Sequence, residues 1–307
     1  MSAWWARNRR LILQSAGTAL AVILLVVLLR GEGWNEVLAA FARVEPAGLL
    51  WVAFLFVISR LATAARWHVL LRAGGVNIRY KDSLALTFTG LFASNFLPTT
   101  IGGDLVRLAG VMRMGFDRAV CLASIAADRL IGMAGMTMTL PLGLIQAWGL
   151  LRTAPASSLT FAWVAKPIAF LKRTLSVFAL WLRKPGALLL SLAFTWVHML
   201  CLFASIYIFA DNLGSRVSFW MIAGLWSLTY FITQIPISIN GYGLQELSFT
   251  YLMTHIAGWT PAVSLSVAVL IRAYLILSSL PGAYFIPFIM ATVAEQKRNT
   301  FSEGDLL

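Results

Sequence analysis

Ionisable side chains set inside long apolar runs carry most of the chemical information in this sequence. Five arginines, Arg60, Arg66, Arg107, Arg129 and Arg272, fall within such runs, as do Asp104, Asp128 and Glu246. A charge at the centre of a membrane span costs at least about 2.5 kcal/mol, so such residues face a cavity, an ion-pair partner or a bound ligand. Arg60 sits near the middle of the run Gly48–Leu71, too central to reach water easily. Arg66 lies nearer the end of that run, and snorkelling to the membrane surface is its expected solution. Asp104 and Arg107 are spaced to pair along one helix face. Asp128 and Arg129 are adjacent and point apart, so each needs a partner elsewhere; Arg272 is the long-range candidate for Glu246. Ion pairs that lock helices together would use the same residues. The functional alternative has the arginines receiving a lipid phosphate, with the carboxylates as countercharges when the site is empty.

Two interrupted runs position these charges. The first reads Asn95-Phe-Leu-Pro98-Thr-Thr-Ile101-Gly102-Gly103-Asp104-Leu-Val-Arg107. The second reads Gln234-Ile-Pro236-Ile-Ser-Ile239-Asn240-Gly241-Tyr-Gly243-Leu-Gln-Glu246. Aligned on proline at an offset of 138 residues, Ile101 meets Ile239 and Gly103 meets Gly241. Arg129 and Arg272 follow at an offset of 143. Pro and Gly kink many membrane helices, so one break alone is weak evidence. Paired interruptions in corresponding short segments instead mark the substrate site of a transporter built from two repeats. Helices starting near Gly103 and Gly243 would also turn positive dipole ends toward a phosphate. These residues, with Arg60 and Asp128, form the expected substrate site.

The composition agrees with a membrane setting. Of 307 residues, 60% are hydrophobic and 12% are charged, about half the charged share of a soluble domain. That excludes a soluble enzyme, a disordered regulator and a disulfide-stapled secreted domain. The net charge of +12 would suit a nucleic-acid binder only if the basic residues shared a wet surface, which the apolar runs forbid. Cys121 and Cys201 lie far apart in apolar stretches, and His68, His198 and His255 are equally scattered, so neither a metal nor a cofactor is expected.

Spans follow from runs of about 20 apolar residues. Leu11–Leu29 is expected to be a retained first helix, followed by Gly48–Leu71. The short pieces Ser83–Leu97 and Asp104–Arg113 flank the first break, and Ala119–Leu140 is a full span. Pro141–Trp163 is left open as a crossing, and 163–184 reads as an amphipathic surface segment. Gly186–Ala210 spans again; Trp220–Ile235 and Leu244–His255 flank the second break; Ala262–Met290 closes the membrane part. With residues 1–10 cytoplasmic, fifteen basic residues fall inside and four outside, as the positive-inside rule requires. The expected fold is an all-α polytopic transmembrane bundle over 11–290. It holds two inverted repeats, about 82–151 and 218–290, each with a broken or re-entrant helix pair, and a cytoplasmic tail at 291–307.

The runs N-F-L-P-T-T-I-G-G-D-L-V-R, A-A-D-R-L-I-G, P-I-S-I-N-G-Y-G-L-Q-E and R-A-Y-L-I-L-S-S-L-P-G resemble the flippase-like membrane-domain family. That family includes the membrane region of lysylphosphatidylglycerol synthase/flippases and their stand-alone relatives, and the similarity runs from the first span to Pro287. The resemblance implies the handling of lipids and lipid-linked sugars in a bacterial inner membrane. The chain shows no aminoacyl-transferase domain, so lysyl transfer is not its expected activity. Gln245 stands where an arginine beside the acidic residue is expected. No P-loop is present, so transport would be downhill or ion-driven. The expected function is translocation of an anionic phospholipid, an aminoacylated phospholipid or a polyprenyl-linked lipid between leaflets. An intramembrane glycosyltransferase-like enzyme and a non-catalytic partner of a lipid synthase stay open as alternatives. Membrane lipids are the expected partners, with a lipid-synthesis enzyme or a second copy of the chain also possible; no nucleic acid is expected.

Overall fold

The computed structural model describes residues 39, 42–97, 102–148, 184–235 and 238–285. Within them the main α-helices are α1 Pro46–Ala73, α2 Tyr80–Ser94, α3 Gly102–Arg113, α4 Arg118–Gln146, α5 Pro185–Asn212, α6 Phe219–Thr233, α7 Leu244–His255 and α8 Pro261–Leu277. The all-α architecture expected from the sequence is what folds. Leu11–Leu29, most of the amphipathic segment and the tail lie outside the described residues.

Local chemistry sets the helix starts. Pro opens α1, α5 and α8, where its missing N–H is one of the donors that would be orphaned anyway. The Asp117 carboxylate accepts from Val120 N at 2.9 Å to cap α4, and the Thr260 hydroxyl accepts from Val263 N to cap α8. Among the described residues four segments are long and apolar enough to cross a membrane: α1, α4, α5 and Pro261–Phe285, which carries α8 onward. A 28-residue helix such as α1 runs about 42 Å, beyond the ~30 Å hydrocarbon core. By contrast α2 and α6, at 15 residues each, reach only about 22 Å, and α3 and α7, at 12 each, about 18 Å. Each short pair folds back on itself around a break, α2 on α3 and α6 on α7.

Two pairs of charges hold equivalent helix positions, whereas Arg107 and Asp128 fall opposite Phe249 and Ile271. Asp104 and Glu246 are each the third residue of the 12-residue helix after the break. Arg129 and Arg272 are each the twelfth residue of the following long helix.

Small residues let the elements approach closely. A Cβ on Gly103 would fall on the Gly90 carbonyl and the Ser94 hydroxyl, so the α2–α3 hairpin closes only over glycine. Gly143 and Gly224 make the equivalent crossing of α4 and α6, beside a Thr139–Ser227 hydroxyl pair at 2.5 Å. The larger core gathers Phe56, Phe203, Phe209, Trp226 and Phe249; a second core holds Trp67, Leu71, Leu86 and Cys121. Outward faces stay apolar, with Leu50, Trp51, Phe54 and Val57 of α1 exposed, as a lipid-facing surface requires.

Two boundaries differ from the sequence reading. Helix α4 continues through Pro141 to Gln146 instead of ending at Leu140, because neighbouring helices in a membrane bundle tolerate the lost hydrogen bond. The regular helix α8 ends at Leu277, and turns at 278–280 precede a further helical stretch to Phe285.

Candidate functional site

All five arginines singled out in the sequence line one cavity of about 370 Å³ between the two broken hairpins and α1, α4, α5 and α8. Asp104, Asp128, Asn95, Gln234, Asn240 and Gly241 also line it. Gly102, Gly103, Gly243 and Glu246 stand behind the wall: the glycines shape the hairpins, and Glu246 holds a lining arginine. Pro98 and Pro236 lie outside the described residues.

The first half builds a continuous chain of ion pairs. Asp128, on α4, accepts from Arg66 Nε at 2.7 Å and from Arg107 Nη1 at 3.1 Å. Arg107 Nη1 also donates to Asp104 Oδ1 at 3.1 Å, and the other Asp104 oxygen accepts from Arg129 Nε. Arg66 is therefore no snorkelling residue. Its side chain is 11% exposed and is turned inward, because α1 packs against α4 and brings the buried Asp128 within reach. The guanidinium of Arg107 lies over the Trp67 ring, 4.0 Å from its centre, while Trp67 Nε1 donates to Ser124. Nε and Nη2 of Arg107 are buried without a hydrogen-bond partner.

The second half spends its arginine differently. Arg272 Nε donates to one oxygen of Glu246, and the other oxygen accepts from Gly243 N at 2.8 Å, fixing the start of α7. Nη2 of Arg272 donates to the Gly241 carbonyl at 3.2 Å, and the group lies 4.9 Å from the Tyr242 ring centre. Asn240 here has φ of 49°, left-handed backbone that asparagine accepts better than most residues. Arg272 thus holds an irregular turn whose carbonyls have no helical donors.

Arg60 is buried and meets no carboxylate within the described residues: Nε donates to Ser278 Oγ at 2.9 Å and Nη2 to the Leu275 carbonyl at 3.1 Å. Contact across the cavity joins the two breaks, where Tyr242 donates to Asn95 Oδ1 at 3.4 Å and Asn95 Nδ2 to Ser279 Oγ at 2.8 Å. Sequence reasoning missed several lining residues, among them Thr63, Thr195, His198 and Tyr230. His198, bonded to Ser59 at 2.6 Å, faces Arg60 and Arg66 from α5, a placement no sequence spacing encodes.

Long apolar helices around a cation-rich cavity, with two broken hairpins reaching toward each other, define a multi-pass membrane protein with an interior polar site. The chain belongs to the family described as the lysylphosphatidylglycerol synthase TM region, whose model matches residues 14–282. It is also similar to a UPF0104 membrane protein, PH1989, of Pyrococcus horikoshii, 22% identical over 131 residues. That match covers 42% of this chain and 39% of the relative.

Proposed function

We propose that the protein moves lipids with negatively charged, phosphate-bearing headgroups between the leaflets of a bacterial inner membrane, with both termini cytoplasmic. The carrying observation is the cavity itself, where five guanidiniums are set against three carboxylates. A cavity of about 370 Å³ suits a headgroup, while the acyl chains would stay in the bilayer beside the apolar outer helix faces. The matched hairpins support two halves of opposite orientation, which rock around a shared site to expose it to each leaflet in turn. Ion pairs hold the arginines in the empty state; a phosphate competes with Asp104 and Asp128 for these guanidiniums and loosens α1, α3 and α4 from one another. In this reading the protein is a carrier, fed by or feeding a lipid-synthesis enzyme, and works alone or beside a second copy.

The test is reconstitution of the purified chain in liposomes with a fluorescent phosphatidylglycerol. Translocation faster than in protein-free vesicles is expected, with Arg129→Ala slowing it. No acceleration with any anionic lipid would remove the proposal. A covalently altered lipid, seen by mass spectrometry, would replace it with an enzyme.

A further inference from the structure

The charge of the cavity, more than its size, narrows the headgroup. The chain Arg66–Asp128–Arg107–Asp104–Arg129 joins three guanidiniums to two carboxylates and carries one positive charge. The pair Arg272–Glu246 is neutral. Arg60, whose described partners are a hydroxyl and a carbonyl, adds the second charge. Among the described residues the site therefore holds two positive charges more than its own carboxylates neutralise.

Geometry says where one of them is offered. The face of Arg107 is covered by Trp67, and Nη1 is shared by Asp104 and Asp128. The edge left is Nε with Nη2, the side-on fork that meets two oxygens of one phosphate, and both nitrogens are buried without partners. A side chain 8% exposed does not keep two N–H groups from water without a compensating acceptor, and a bound phosphate supplies it.

We infer that the site takes a lipid whose phosphate portion carries two negative charges, a phosphate monoester or a diphosphate, in preference to a singly charged phosphodiester or an aminoacylated headgroup. A dianion cancels the excess. A phosphodiester leaves one guanidinium uncompensated, and an aminoacyl lipid, with its ammonium groups, adds to the excess. The inference rests on the cavity being the headgroup site.

The probes are phosphatidic acid, which is a phosphate monoester, phosphatidylglycerol, and inorganic phosphate. They are added to the full chain in nanodiscs of phosphatidylcholine, and retained lipid is read by native mass spectrometry. Retention of phosphatidic acid roughly tenfold above phosphatidylglycerol is expected, the scale of one extra charge-assisted contact. Arg60→Gln should bring the two lipids within about twofold, and Asp104→Asn, which adds a positive charge, should raise phosphatidic acid retention, a gain no folding defect produces. Equal retention of the two lipids by the wild-type chain would overturn the inference, as would unchanged retention in both variants. Displacement of phosphatidic acid by equimolar inorganic phosphate would also overturn it, by showing that the site takes the free ion. Equilibrium retention and translocation fail separately. Flipping without the preference sinks the charge argument alone; the preference without flipping sinks the carrier reading alone.

Discussion

Replacing Asp128 with asparagine is the most direct perturbation of the ion-pair chain. The carboxylate is 3% exposed and joins two guanidiniums, Arg66 at 2.7 Å and Arg107 at 3.1 Å, whose side chains are 11% and 8% exposed. Breaking a buried pair from one side typically costs about 3–5 kcal/mol, because the remaining charge stays buried without its partner. Asparagine keeps one acceptor oxygen, which returns about 1 kcal/mol. The expected loss is therefore about 2–4 kcal/mol, or roughly 4–16 °C in Tm at 2–4 °C per kcal/mol for a larger domain. Thermal unfolding in a neutral detergent, followed by the burial-sensitive fluorescence of the tryptophans, reads this directly. Anionic lipid provides the discriminating arm. Asp128→Asn raises the excess positive charge of the cavity, so phosphatidic acid should restore more Tm to the variant than it adds to the wild type. A variant as stable as wild type in the absence of lipid would show that the carboxylate does not hold the two arginines. A variant that is destabilised yet indifferent to anionic lipid would show that the arginines do not face a ligand-accessible space.

Four further outcomes are expected. Gly103→Ala should destabilise the chain by about 1–3 kcal/mol, since its Cβ would overlap the Gly90 carbonyl. Gly186→Ala, whose Cβ meets nothing within 4 Å, should be neutral or stabilising by up to about 1 kcal/mol in the same melt. Arg272→Ala should cost about 3–5 kcal/mol by stranding Glu246, and Arg272→Lys should recover only part of that, because a lysine cannot reach the carboxylate and the Gly241 carbonyl with one planar fork. Tyr242→Phe keeps the ring near Arg272 but removes the bond to Asn95; losing about 1 kcal/mol from the closed contact should speed lipid flipping by up to about fivefold, and an unchanged rate would mean that this contact does not gate.

Much of the site was legible because charge in apolar sequence is expensive. The pairings Asp104–Arg107 and Glu246–Arg272 could be named in advance, the first from helical spacing and the second because few other charges remained. The bond from Asp104 to Arg129 was not legible. It depends on how α3 meets α4, and contacts between helices are set by small residues such as Gly103 and by packing that no periodicity records. Arg66 was misread for the same reason: its distance from the end of its run suggested snorkelling, whereas the α1–α4 contact places Asp128 beside it. Helix ends were legible where proline, aspartate or threonine caps them, and less so at Pro141, where the surrounding bundle overrides the local breaker.

The two equivalent carboxylates are held differently, which bears on how such a site would work. Asp104 and Glu246 occupy the same helical position, yet Asp104 divides its oxygens between Arg107 and Arg129, while Glu246 gives one oxygen to Arg272 and the other to the backbone at Gly243. Arg272 is further engaged by the Gly241 carbonyl, so its donors are committed to holding the second break in its left-handed turn. Arg107 keeps two N–H groups uncommitted, and Arg60 is held only by neutral acceptors. Replacing the partners of a guanidinium costs least where those partners are fewest or neutral, so an arriving phosphate meets the least opposition at Arg60 and Arg107. Engaging Arg272 would require the second break to rearrange first. A ligand at Arg60 and Arg107 touches α1 and α3 together, and Arg60 is already bonded to the end of α8. Under the proposed function, Arg60 and Arg107 therefore make the first contacts with the phosphate, while Arg272 stays committed to the second break.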